Sequence, residues 1–288
     1  MNRLLKSLPL LTLLASCGSM NQQNSQVHSE PPIHLGPEYL ALGDSISFGY
    51  NPLISYNAQT IADGRFRAFP EVIADALVLQ LTNPSCVGES TSSFIDKTIP
   101  DNGCRSGNAP AHANLKINYD VAQLDFAVDF LKKHPGTKLI TMTLTGNDVL
   151  MAEDACNLQS NPTLCKASKM LGVTSTIAKN LNHIVDTLRA TGFDGQIVYT
   201  SNYARNYKDP IQFLVLKSIQ AEVRTIARLK HFKVASGFDA FNKVARDFNG
   251  DSCKAGLLIL LADGTCNEHP SVKGHELLAQ TIIDVLKD

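Results

Sequence analysis

Tyr39-Leu40-Ala41-Leu42-Gly43-Asp44-Ser45-Ile46-Ser47-Phe48-Gly49 is the stretch on which the fold turns. Its first four, mostly apolar residues read as a short buried strand, and that strand ends on a glycine, an acid and a serine. A serine in this place is held at the lip of a sheet, where open α/β sheets bind their ligands. Glycines at 43 and 49 permit a tight turn and a close approach of substrate. Gly43, Asp44 and Ser45 are also all turn formers, so the tripeptide acquires chemical meaning only if partners follow along the chain.

Downstream, strand-like and helix-like segments alternate. An amphipathic stretch spans 67–81, with Ala68, Val72, Ile73 and Ala76 at helical spacing, and 79–84 carries a short second strand. Residues 120–134 form a helix with Val121, Leu124, Ala127, Val128 and Leu131 on one face and a Pro135-Gly136 stop. A β-rich run at 138–144 precedes a helix at 173–191 that ends on Gly192. Then come a strand at 196–201, a helix at 210–229 opened by Pro210, a short strand at 232–235 and a closing helix at 272–286. This alternation predicts βαβ units and a parallel, doubly wound sheet of the α/β class.

The chain has 288 residues, enough for one large α/β domain. With 44% apolar and 18% charged residues it has the composition of a soluble globular protein. A net charge of −1 gives no reason to expect nucleic acid as a partner. There is no internal repeat and no glycine loop of the phosphate-binding type.

Residues 1–17 read as a targeting segment: Arg3 and Lys6 precede an apolar core at 8–15, which falls well short of the about 20 residues a membrane span needs. Leu14-Ala15-Ser16-Cys17 resembles the lipobox of bacterial lipoproteins, which implies cleavage before Cys17 and lipidation of that cysteine. The alternative is an ordinary secretory signal with an incidental cysteine. Residues 18–37 are a polar tether, with a random-coil reach of about 25 Å, and 38–288 form the folded domain. The expected location is extracytoplasmic, held to the membrane by the N-terminal lipid or secreted.

Without Cys17, six cysteines remain: Cys86, Cys104, Cys156, Cys165, Cys253 and Cys266. An even set in an exported chain suggests three disulfides. Of the many pairings possible, the simplest joins sequence neighbours, 86–104, 156–165 and 253–266. No Cys-x-x-Cys occurs, so no zinc site is expected.

Three further blocks follow Ser45: Cys86-Val87-Gly88-Glu89-Ser90-Thr91, Leu144-Thr145-Gly146-Asn147-Asp148, and His269-Pro270-Ser271-Val272-Lys273-Gly274. In this order the four blocks resemble those of the SGNH hydrolases, also called GDSL esterases and lipases, of the cystine-containing secreted type. The resemblance implies a flavodoxin-like, three-layer α/β/α fold. It makes Ser45 the nucleophile and His269 the general base, and assigns the Ser45 N–H, the Gly88 N–H and Asn147 to the oxyanion hole. It implies no metal and no cofactor.

Two positions depart from the family pattern. Thr145 stands where a leading glycine belongs, and Cys266 stands three residues before the histidine, where an aspartate is usual. Asp263 and Glu268 lie nearby at the wrong spacing. Some cystine-containing members work with a serine–histidine dyad whose ring is oriented by a backbone carbonyl, and a Cys253–Cys266 bridge fits that variant. The expectation here is therefore a main-chain carbonyl near Cys266. The activity implied is that of a serine esterase or lipase acting on lipid, short-acyl or acetylated-glycan esters. One alternative is a carbohydrate O-acetyl esterase acting on cell wall or exopolysaccharide, and another a catalytically inactive binding lipoprotein. The apolar run at 256–262 fills core or, in the alternative, lines an acyl pocket. His112 is read as exposed, with a place facing the cleft as the alternative.

Overall fold

Successive side chains of a strand point to opposite faces, and in β1 (Glu38–Gly43) both sets are apolar and fully buried. Leu40 and Leu42 join one core, Tyr39 and Ala41 the other. A strand buried on both sides belongs inside a parallel sheet covered by helices. The computed structural model, which describes residues 36–105 and 114–287, contains that sheet. β2 (Gln80–Thr82), β3 (Leu139–Thr143), β4 (Gln196–Thr200) and β5 (Lys233–Ala235) complete it in the order β2-β1-β3-β4-β5, parallel throughout. β1 and β3 run in register from Tyr39 opposite Leu139 to Gly43 opposite Thr143.

The helices are α1 (Ser45–Phe48), α2 (Ala58–Ala62), α3 (Phe69–Leu77), α4 (Thr91–Ile95) and α5 (Gln123–Lys133), followed by α6 (Gly146–Asn157), α7 (Pro162–Ala190), α8 (Pro210–Lys230), α9 (Gly237–Ala245) and α10 (Val272–Lys287). Apolar faces of α5, α7 and α8 pack on the Leu40 side of the sheet, and those of α3, α9 and α10 on the Tyr39 side. The chain thus has the expected doubly wound, three-layer architecture. In a sheet of this order, β1 and β3 are where the connections diverge to opposite faces, leaving a crevice beyond their carboxyl ends.

Several boundaries differ from the pattern in the sequence. α7 starts at Pro162 rather than near 173, with the Asn161 side chain accepting from the Leu164 N–H at 3.1 Å. Its first turns are mostly exposed and carry no regular apolar stripe. α9 was not expected, and Gly237 opens it because a Cβ there would lie 2.3 Å from the Ser201 carbonyl oxygen. The run at 256–262 enters a hairpin of β6 (Leu258–Leu260) and β7 (Cys266–Pro270). Leu257, Leu258 and Ile259 are buried, Leu260 is exposed, and none borders the cleft described below, so the run fills core and lines no acyl pocket.

The three bridges join sequence neighbours: Cys86–Cys104, Cys156–Cys165 and Cys253–Cys266. Among the described residues no helix is long and apolar enough to cross a membrane. The targeting segment, Cys17 and His112 lie outside the described residues.

Candidate active site

Ser45 is the first residue of α1, directly beyond β1. Asp44 caps that helix, its Oδ1 accepting from the Ile46 N–H at 3.0 Å and the Thr143 hydroxyl at 3.2 Å. Gly43 lets β1 and β3 close at this point: its φ is +136°, and a Cβ would sit 2.1 Å from the Thr143 carbonyl oxygen. The first N–H groups of a helix have no intrahelical acceptor, so the Ser45 amide is available as a donor. Burial pushes the Asp44 carboxyl up to about 7, against the hydrogen bonds that favour its charge.

β7 brings His269 to the serine from the other side, with Nε2 3.0 Å from Ser45 Oγ. The expected main-chain acceptor at Nδ1 is replaced by a side chain. Asn267 Oδ1 accepts the backbone N–H of His269 at 3.0 Å and lies 2.7 Å from Nδ1. The backbone N–H can only donate, so the atom facing it is the amide oxygen, and Nδ1 must then carry the ring proton. That leaves a lone pair on Nε2 facing the serine hydroxyl. Neither nearby carboxylate does this work: Glu268 Oε1 is 4.0 Å from Nδ1, and Asp263 is exposed, its Oδ1 accepting from the Thr265 N–H. Burial holds the imidazole below the usual histidine range, with Glu268 partly opposing that shift. Tyr50 packs edge-on against the ring at 4.9 Å.

Asn147 follows β3 on the first turn of α6. Its Nδ2 donates to the Glu89 carbonyl at 2.9 Å and its Oδ1 accepts from Asn102 Nδ2 at 3.0 Å. This fixes which way the amide faces and leaves its second Nδ2 hydrogen uncommitted. Gly88 sits against Asn102 with a φ of +89°, where a Cβ would lie 2.3 Å from the Asn102 carbonyl oxygen. Asn102, within the loop that Cys86–Cys104 closes, has no counterpart in the sequence reading. Asp148 accepts from the Thr91 N–H at 2.9 Å and hydroxyl at 2.5 Å, tying the second and third blocks together. Thr145 keeps the backbone a glycine would adopt, with φ +86°, and its hydroxyl bonds Tyr199 and Asn202 at 3.0 Å each.

Behind this layer Glu89 is fully buried. It accepts from Ser93 at 2.6 Å and Gln123 at 3.0 Å, and pairs with Arg105 at 3.2 Å. Burial raises its carboxyl and Arg105 opposes the rise. Cys86, Glu89 and Cys104 bring possible metal-ligand atoms together, but both sulfurs belong to a disulfide, so the group does not suit an ion.

Ser45, Gly88, Asn102, Asn147 and His269 all face one cleft of about 350 Å³. Part of its wall is aliphatic, built from Ile46, Val87, Val149, Leu150, Val215 and Leu216, and the rest carries the polar Glu153, Asn202, Arg205 and Gln212. α6 and α8 supply most of that wall, and no local signal in either helix announces it.

Residues 41–277 match the model of a family described as the GDSL-like lipase/acylhydrolase family. A comparison with curated proteins finds no match. Among solved structures, the extracellular lipase of Streptomyces rimosus superposes with a TM-score of 0.58 at 16% identity, covering 87% of this chain and 100% of that one. Phospholipase A1 of Streptomyces albidoflavus NA297 gives 0.55 at 17% identity, with 86% and 99% covered. The acetylxylan esterase Axe2 of Geobacillus stearothermophilus gives 0.54 at 15% identity, with 88% and 95% covered. At such identities the likeness to these structures is one of fold.

Proposed function

We propose that this chain, which belongs to the GDSL-like lipase/acylhydrolase family and is a carboxylic ester hydrolase, works through an acyl-enzyme on Ser45. Ser45 Oγ attacks the ester carbonyl while His269 Nε2 takes its proton. The carbonyl oxygen becomes an oxyanion that accepts from the Ser45 N–H, the Gly88 N–H and the uncommitted Nδ2 hydrogen of Asn147. As the tetrahedral centre collapses, the C–O bond to the alcohol breaks and imidazolium Nε2–H protonates the departing oxygen. Water then repeats the sequence on the acyl-serine, releasing the acid. Asn267 holds Nδ1–H throughout, fixing the tautomer while stabilising the imidazolium less than a carboxylate would. The observation that carries this reading is the 3.0 Å contact from Nε2 to Ser45 Oγ, with the ring proton confined to Nδ1.

The aliphatic part of the wall, from Val149, Leu150, Val215 and Leu216, supports acyl chains longer than acetyl. Turnover of p-nitrophenyl esters of increasing chain length tests both points: kcat/KM should rise from acetate to hexanoate, each buried methylene adding up to about 0.8 kcal/mol. A preference for acetate would move the substrate to acetylated carbohydrate. No turnover at all would leave a binding protein. For the N-terminus we infer lipidation at Cys17 and an extracytoplasmic location. The basic start and lipobox-like end support the first, the three disulfides the second. Fatty-acid labelling should tag the wild type and miss Cys17→Ala.

A further inference from the structure

Asn147 is held at both ends of its amide, and both holds lead back to one segment of chain. A main-chain carbonyl can only accept, so the atom facing the Glu89 carbonyl at 2.9 Å is Nδ2. Oδ1 then faces Asn102, 3.0 Å away, and Asn102 must turn its own Nδ2 towards it as the donor. Arg105, three residues beyond Asn102, pairs with the Glu89 carboxylate at 3.2 Å. The segment 101–105 therefore bears on Oδ1 directly and on the Nδ2 side through Glu89.

That segment is itself firmly placed. Buried Asp101 accepts from the Gly103 N–H at 2.9 Å and from the Arg105 N–H at 2.8 Å. The Asn102 N–H donates to the Gly88 carbonyl at 2.9 Å, and Cys104 is bridged to Cys86, two residues before Gly88. None of these contacts uses the Asn102 side chain. That side chain borders the cleft, and its one hydrogen bond among the described residues goes to Asn147.

The Cβ–Cγ torsion of an asparagine has broad wells. A single contact at Nδ2 would leave the Asn147 amide free to swing about that bond, and a donor weakens steeply as its angle departs from linear. The second contact, at Oδ1, fixes the amide plane and with it the direction of the other Nδ2 hydrogen. An oxyanion donor has its effect because it is aimed before the charge develops.

We propose that Asn102 is a positioning residue for the hydrolysis, its side chain holding the Asn147 amide in the plane from which the second Nδ2 hydrogen meets the oxyanion. The inference rests on the reading of Asn147 as an oxyanion donor.

A kinetic double-mutant cycle on p-nitrophenyl butyrate tests it, using Asn102→Ala, Asn147→Ala and the two combined. Rates are taken per Ser45 that a fluorophosphonate labels at end point, so unfolded protein does not count. Asn102→Ala should lower kcat by roughly ten- to a hundredfold with KM nearly unchanged. In the Asn147→Ala background the same substitution should cost less than about threefold, because the group it orients is gone. A general loosening of the loop would slow both backgrounds alike, so this coupling separates positioning from stability. Asn102→Asp keeps the shape but sets an acceptor against an acceptor, and at pH 8 it should lower kcat at least as far as Asn102→Ala. Wild-type kcat in Asn102→Ala would overturn the proposal. So would an equal loss with and without Asn147, or an Asn102→Asp variant faster than Asn102→Ala. If Asn147→Ala loses kcat while Asn102→Ala does not, the proposal alone falls. If Asn147→Ala itself keeps the wild-type kcat, the oxyanion reading falls with it.

Discussion

The two halves of the candidate site are held in different ways. The half that carries Ser45, the proposed nucleophile, sits at the carboxyl ends of β1 and β3 and is tied many times over. Gln123 brackets Gly43, accepting its N–H at 2.7 Å and donating to its carbonyl at 3.0 Å, and the Cys86 N–H adds a second bond to that carbonyl. The histidine half lies outside the sheet, on a hairpin fastened by Cys253–Cys266, by the Tyr203 hydroxyl on the Glu268 carbonyl and by the two contacts of Asn267. Over-determined groups can be aimed at a transition-state charge, whereas a group on a lightly held hairpin depends on each neighbour that orients it. Damage on the first side should remove donors, and damage on the second should change tautomer and pH dependence.

The largest contrast is expected at Asn147. Asn147→Ala removes one of the proposed oxyanion donors and should lower kcat by about 10²–10³-fold with little change in KM. A loss confined to KM would mean that Asn147 only binds substrate.

On the histidine side, Asn267→Leu should lower kcat by roughly ten- to a hundredfold, because the ring loses its tautomeric lock but not its lone pair. Asn267→Asp puts a carboxylate at Nδ1, favours the imidazolium and should move the acid limb of kcat/KM to higher pH. In the wild type that limb should lie below the ordinary histidine value of about 6.5, since burial depresses His269. An Asn267→Asp profile that stays in place would show that Asn267 does not face the ring.

Much of the nucleophile half was legible in the sequence because it is local. A strand buried on both faces must be mostly apolar, as 39–42 and 139–144 are, with the hydroxyls of Thr141 and Thr143 bonded to Tyr39 and Asp44, and a motif at its end inherits the position of the sheet edge. What was missed is of two kinds. Asn102 and the aliphatic wall from α6 and α8 come together only through the tertiary fold, and nothing at 102, 149 or 215 marks them. Asn267, by contrast, was legible: an Asn whose side chain bonds its own backbone two residues on is a local turn device, and His269 is two residues on. α9 also left a readable trace, in Phe238, Phe241 and Ala245 at helical spacing. Cys266, the residue that departs from the family pattern, suggests a main-chain acceptor, whereas the acceptor at Nδ1 is the side chain of its neighbour Asn267.

A smaller effect separates stability from catalysis on the nucleophile side. Asp44 is raised from 3.8 in the unfolded chain to about 7 when folded, so the folded state holds this proton more tightly. Its contribution is full below about pH 3.8 and is lost as pH rises to about 7. Asp44→Asn keeps a capping oxygen and removes the titration, so its melting temperature relative to wild type should improve from pH 5 to pH 8. A difference that stays constant with pH would show that Asp44 is ionised throughout.

The smallest effect is expected at Thr145. Thr145→Gly relieves a β-branched residue at positive φ, a strain of about 1–3 kcal/mol. It also loses two hydroxyl contacts of about 1 kcal/mol each and the entropic advantage over glycine. These terms nearly cancel, so denaturant midpoint and kcat should both stay close to wild type. A large fall in either would mean that the hydroxyl bridge to Tyr199 and Asn202 positions Asn147.

The serine–histidine contact is tested most directly by mass spectrometry of the peptide modified by a fluorophosphonate. The site described here predicts a single adduct on Ser45, absent in Ser45→Ala and formed at least about 10³-fold more slowly in His269→Ala. An adduct on another serine, or one on Ser45 that forms at the same rate without His269, would contradict it.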